Sequence, residues 1–172
     1  MHRTLLRTNA DFGALASRIT LGAIMFPHGL QHAFGLLGGY GFGGTLTWMT
    51  ETLGFPAPLA ALAIVTEVVA PIALLLGLGG RLAALGIIGL MIGAASTHVP
   101  NGFFMNWFGT LPAGTEGFEY HLLAIGLGVV VAVNGAGALS VDRLLTKRFG
   151  RSYRDDVTRV AAAVTSRGHR AA

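Results

Sequence analysis

Residues 57–78 read APLAALAIVTEVVAPIALLLGL, an apolar run that has Pro58 near its start and is broken further on by one ionisable side chain, Glu67, and a second proline, Pro71. Its length matches the ~20 residues that a helix needs to cross ~30 Å of hydrocarbon. Working outward, the sparse charges leave three more such stretches, roughly 15–37, 82–100 and 118–138. Glycine is common in all of them. In lipid, however, a backbone must close its own hydrogen bonds, and membrane-barrel strands would alternate polar and apolar residues, which these do not. The expectation is an all-α membrane protein, a bundle of four transmembrane helices. The composition agrees: of 172 residues, 12% are charged, 52% are hydrophobic and 26 are Gly, which excludes disorder and argues against a water-soluble globule. There is no cysteine. The chain itself therefore offers no disulfide, thiolate nucleophile or cysteine-held iron–sulfur cluster, and any redox chemistry must come from something bound.

The basic residues give an orientation. All twelve Lys and Arg lie before or at the opening of the first stretch (Arg3, Arg7, Arg18), at the Gly79-Gly80 turn (Arg81), or after the fourth stretch, from Arg143 to Arg170. The long loops 38–56 and 99–117 contain none. Both termini are therefore expected in the cytoplasm and the two long loops outside. The pI near 10.3 then reports topology and attraction to an anionic inner leaflet, with no need for nucleic acid. The first apolar run is too long for a signal peptide and includes Arg18, His28 and His32, so it reads as a retained helix.

Trp48, Trp107, Phe103, Phe104 and Phe108 suit an outer membrane surface. Gly89 and Gly93, continued by Thr97, form a small-residue face expected to seat another helix of the same chain. Residues 1–142 read as the membrane domain and 143–172 as a basic cytoplasmic tail. In that tail Val157, Val160, Ala161 and Val164 suit a short amphipathic helix.

Ionisable side chains inside a span cost a few kcal/mol near its centre, so those present are candidates for function. They are His28, His32, Glu67, His98 and His121, with Gln31 and Glu119 beside them. At 1.5 Å per residue, Glu67 falls near mid-membrane and the histidines from there to ~10 Å toward the outer side. Pro71 withholds the N–H that would bond the Glu67 carbonyl, and Pro27 does the same for Ala23. Three uses compete: a pocket where imidazoles bond quinone oxygens and pass protons, a metal on His32, His98 and His121, and hydrogen bonds that join the helices.

These residues also carry a family resemblance. His28-Gly29-Leu30-Gln31-His32, Leu53-Gly54-Phe55-Pro56, Glu67, Gly77, Arg81, His98 with Asn101-Gly102-Phe103-Phe104, Glu119-Tyr120, Gly137 and Ser140-Val141-Asp142 occur in the order and spacing that resemble the DoxX family of small bacterial membrane proteins. The resemblance spans about 15–142 and departs at His32, where relatives often carry Lys. It implies a multi-pass protein of the bacterial plasma membrane linked to quinone-coupled redox systems.

The reading that follows is a membrane subunit of a quinone-linked oxidoreductase. Glu67, His98 and His121 are its catalytic candidates, and His28, Gln31, His32 and Glu119 its candidates for holding a quinone. No metal site is assigned. The chain stores no electrons of its own, so a protein partner in a redox complex is expected beside the lipid bilayer, and a homo-oligomer is open. The alternatives are a membrane scaffold or assembly partner, and a small-solute transporter acting as a dimer.

Overall fold

Asp11 starts the first helix: its carboxylate accepts the backbone N–H groups of Gly13 (2.8 Å) and Ala14 (3.1 Å), two of the donors that a helix start leaves open. The computed structural model describes residues 8, 10–112 and 114–148. In it α1 spans Phe12–Phe34 and stops at Gly35, whose φ of 70° is the left-handed turn that commonly ends a helix. A short helix α2, Gly41–Thr47, runs into a single wide turn over Trp48–Thr52. Then come α3 (Ala57–Leu76), α4 (Gly80–His98) and α5 (Glu119–Asn134), with a further helical stretch over 141–148. Among the described residues there is no strand.

The four long helices pack α1 on α3, α3 on α4, α4 on α5 and α5 on α1. Leu21, Met25, Leu74, Ile87, Met91 and Val131 meet in the core between them. The outward face is apolar too, since Leu62, Val65 and Val69 of α3 are all exposed. A helix that is hydrophobic all round needs apolar surroundings on every side. Two helical segments, Ala57–Leu76 and Gly80–Asn101, are long and apolar enough to cross a membrane. α5 is apolar but shorter, and α1 is long but carries Arg18, His28, Gln31 and His32.

Arg18, one of the basic residues at the opening of the first stretch, is buried, being 1% exposed. Its Nε donates to the Ala136 carbonyl (2.7 Å), Nη1 to Leu74 and Leu75 (2.7 and 2.9 Å), and Nη2 to Ala138 and Leu139 (3.2 and 2.7 Å). All five guanidinium N–H groups are thereby used, and at the end of α3 Arg18 supplies the Leu75 carbonyl and shares that of Leu74 with the Gly77 N–H (3.0 Å). Asp142 completes the joint by accepting the N–H groups of Gly79 (2.8 Å) and Gly80 (3.0 Å), which open α4. Arg81 binds the carbonyls of Ala132 and Val133 at the end of α5. α5 stops at Asn134 and not at 138 because Gly135 leaves helical geometry and the carbonyls beyond it point to Arg18.

The expectation that Gly89 and Gly93 seat a helix of the same chain is not met. A Cβ built on either glycine meets nothing within 4 Å. Thr97 turns its hydroxyl to the Ala94 carbonyl of its own helix (2.8 Å). The amphipathic helix expected over 157–164 lies outside the described residues.

Candidate functional site

α1, α3, α4 and α5 enclose a cavity of about 640 Å³ at the end of the molecule away from the Arg18 joint. His28 and His32 reach it from α1, Glu67 from α3, His98 from α4 and His121 from α5. The five polar residues singled out by depth thus share one space, in two groups.

The first group joins α1 to α3. His32 Nδ1 lies 2.5 Å from Glu67 Oε2, and the His28 ring is 6.4 Å from that of His32, tilted and unstacked. The Glu67 side chain is 8% exposed and that of His32 27%, so a proton from outside meets the imidazole before the carboxyl. The pair forms because α1 comes unusually close to α3 at Gly29, where a Cβ would stand 2.2 Å from the Glu67 carbonyl oxygen. That carbonyl is the one that Pro71 leaves without its helical donor. Gly29→Ala is therefore expected to force the helices apart at a cost of ~1–3 kcal/mol and to stretch the His32–Glu67 contact. Gly126→Ala, with nothing within 4 Å of the new Cβ, is expected to be neutral or slightly stabilising. Thermal melts of both variants in detergent check the contrast.

The second group joins α4 to α5. The rings of His98 and His121 are 4.8 Å apart, and Tyr120 stands edge-on to His121 at 5.7 Å. His98 Nδ1 donates to the Glu116 carbonyl (2.7 Å), because a carbonyl can only accept. Its Nε2 in the neutral ring is then an acceptor. His121 is 7% exposed, and its Nδ1 is buried without a well-formed hydrogen bond, its polar neighbour being the Phe118 carbonyl. The Tyr120 hydroxyl donates to Met25 Sδ at 3.4 Å, tying α5 to α1.

The remaining two candidates take other partners. Gln31 donates to the Leu37 carbonyl (3.1 Å) in the exposed turn after α1. Glu119 accepts from the Met105 N–H (3.2 Å) and Trp107 Nε1 (3.1 Å), which holds the loop before α5 against the helices. Neither lines the cavity. Among the described residues no three His, Asp, Glu or Cys side chains converge to hold a metal ion.

Sequence reasoning passed over part of the wall. Met25, Met49, Met91 and Met105, every methionine after Met1, line the cavity, as do Trp48 and Tyr120. Thioethers are flexible and polarisable, and suit a wall that packs on a flat conjugated ring. The signal was the confinement of the internal methionines to the levels of the candidate histidines.

The geometry can hold a compact apolar molecule, offer it both donors and acceptors, and exchange a proton with it. No curated protein and no solved structure matches this chain. A family model described as DoxX matches residues 13–107, more than half of the sequence and four of the five ionisable residues singled out by depth, and the protein belongs to the membrane-associated DoxX family.

Proposed function

We propose that the protein is the membrane subunit of a quinone-linked redox system of the bacterial plasma membrane. α1, α3, α4 and α5 all cross the bilayer, both termini are cytoplasmic, and the cavity is a quinone and proton-handling pocket in the outer half of the bundle. The observation that carries this reading is a buried carboxyl in direct contact with an imidazole on an otherwise largely apolar wall. The cavity volume of about 640 Å³ falls within the roughly 300–1,000 Å³ of small-molecule sites. The membership in a family of redox-associated membrane proteins and the confinement of Lys and Arg to one side support it further.

A quinone supplies two-electron chemistry whose protons enter and leave at its ring oxygens. The residues fit such a head group. His121 Nδ1 lacks a good partner, and His98 presents an acceptor nitrogen held in place by the Glu116 carbonyl. The His32–Glu67 pair keeps one proton between two bases. Moving it from carboxyl to imidazole creates opposite charges side by side and leaves the net charge of the pocket unchanged, so the step avoids burying an isolated charge. The chain has no cysteine for a redox disulfide or an iron–sulfur cluster, and in this proposal a redox partner protein supplies or removes the electrons.

The test uses decylubiquinone and the purified full chain. Trp48 lines the cavity and Trp107 does not, and they are the two tryptophans. Added quinone is expected to quench fluorescence in the wild type and in Trp107→Phe, and to lose most of that quench in Trp48→Phe. At a hundredfold excess over Kd it raises stability by ~2.7 kcal/mol, several degrees in Tm. No quench and no thermal shift in the wild type would sink the proposal.

A further inference from the structure

The cavity does not end at the imidazoles. It continues along α4 from His98 to Leu85, about 20 Å at 1.5 Å per residue, with Leu59, Leu62 and Thr66 of α3 as the facing wall. The two helices touch at one end of this run and part toward the other. A Cβ built on Gly86 meets Thr66 Cγ2 at 3.2 Å, whereas one built on Gly89 or Gly93 meets nothing within 4 Å. The gap opens sideways, since Leu59, Leu62, Leu85 and Gly89 on its rim are all exposed. Its walls are the two segments long and apolar enough to cross a membrane, so the opening faces hydrocarbon. The same cavity is lined by His121, buried and without a well-formed partner for Nδ1.

An open cleft between two spanning helices forfeits dispersion contacts along its length. Alanine or leucine at 89 and 93 would fill it and would favour the helix over glycine, yet both positions are glycine. A leucine-rimmed slot opening into hydrocarbon offers a water-soluble ligand neither a route nor a partner. We infer that the α3–α4 cleft is a lateral portal for a membrane-dissolved ligand with a flexible hydrocarbon tail. The head group passes between the helices toward His98, His121 and the His32–Glu67 pair, and the tail remains in the cleft beside Gly89 and Gly93. The inference rests on the quinone reading for the head group and adds that the substrate class is tailed and lipid-borne.

In leaving lipid for a groove of equal apolarity the tail gains little. At equilibrium the route drops out, so blocking the cleft acts sterically on the tail that stays in it and leaves the affinity for a tail-free ring unchanged. The full-length protein in lipid nanodiscs is titrated with decylubiquinone and with the same ring lacking the decyl chain, using Trp48 fluorescence as the readout. Two blocking variants are compared with the wild type in the same discs: Gly89→Leu with Gly93→Leu, which introduces side chains into open space, and Leu62→Trp from the α3 side. Each is expected to weaken decylubiquinone binding by about tenfold or more while tail-free binding stays within about twofold. The inference is overturned if the blocked variants bind the tailed compound like the wild type, or lose both compounds equally. It also falls if they bind both normally and instead break a cross-linkable dimer, which would make the cleft the seat of a second copy. A wild type that binds neither compound removes the quinone reading itself, a failure visible before any variant is made.

Discussion

Arg18→Ala is expected to lower stability by at least ~3 kcal/mol, a fall in Tm on the order of 10 °C, whereas Lys147→Ala, which removes the same formal charge from an exposed position, moves it by less than ~0.5 kcal/mol. The difference is one of hydrogen bonds. Five N–H groups of Arg18 satisfy five carbonyls, two at the end of α3 and three in the 136–139 segment. Alanine leaves the carbonyls of Leu75, Ala136, Ala138 and Leu139 without that donor at a buried joint, while Leu74 keeps the Gly77 N–H (3.0 Å), and each such orphan costs ~1–3 kcal/mol unless water reaches it. Lysine is expected to rescue little. Its ammonium has three donors radiating from one atom, whereas these carbonyls are spread around a planar fork. Asp142→Ala should give a smaller loss, since it uncaps the Gly79 and Gly80 N–H groups and removes a carboxylate that acts on Arg18 through its charge, but leaves the five Arg18 hydrogen bonds in place. A melt of Arg18→Lys close to that of the wild type would show that charge, and not the fork, is what the joint needs.

The same joint marks where the sequence stopped being readable. A hydropathy window sees that Gly135-Ala136-Gly137-Ala138 is apolar and extends the last helix to 138. It does not see that a side chain 118 positions earlier claims the carbonyl of Ala136. The first helix shifted for a related reason. The apolar run suggested 15–37, but hydrogen bonds set the ends, through Asp11 at the start and the left-handed Gly35 after Phe34. The site was more legible, because depth follows from rise alone, and depth suffices to gather His28, His32, Glu67, His98 and His121 within ~10 Å along the bundle axis. Gln31 and Glu119 share that range but each sits about 100° around its helix from its cavity-lining neighbour, and so faces elsewhere. Which imidazole meets the carboxyl depends on how α1 and α3 are rotated about their axes, and that is fixed by the contact of Gly29 with the Glu67 backbone.

Glu67→Gln is expected to lower quinone-dependent electron transfer about a hundredfold, within the 10²–10⁴ range of general acid–base catalysis, in membranes that hold the variant at wild-type amount. Its stability should stay within ~1 kcal/mol of the wild type. The substitution separates two roles of one side chain. Glutamine has nearly the shape of glutamate and can still bond His32 at an ordinary hydrogen-bond length in place of the 2.5 Å contact, so α1 and α3 remain joined. What it cannot do is take up or release a proton. A carboxyl present only to link helices predicts full activity in Glu67→Gln and a loss of stability in Glu67→Ala, where His32 is left without its partner. A carboxyl that relays protons predicts instead that activity is lost in Gln and Ala alike. His32→Gln supplies the second half of the argument. If imidazole and carboxyl act as one relay, with the more exposed His32 as its outer member, each single variant should cost nearly as much as the pair together. Independent losses that multiply in the double variant would mean that the two side chains touch without acting as a unit, and the assignment of a proton path through them would have to be given up.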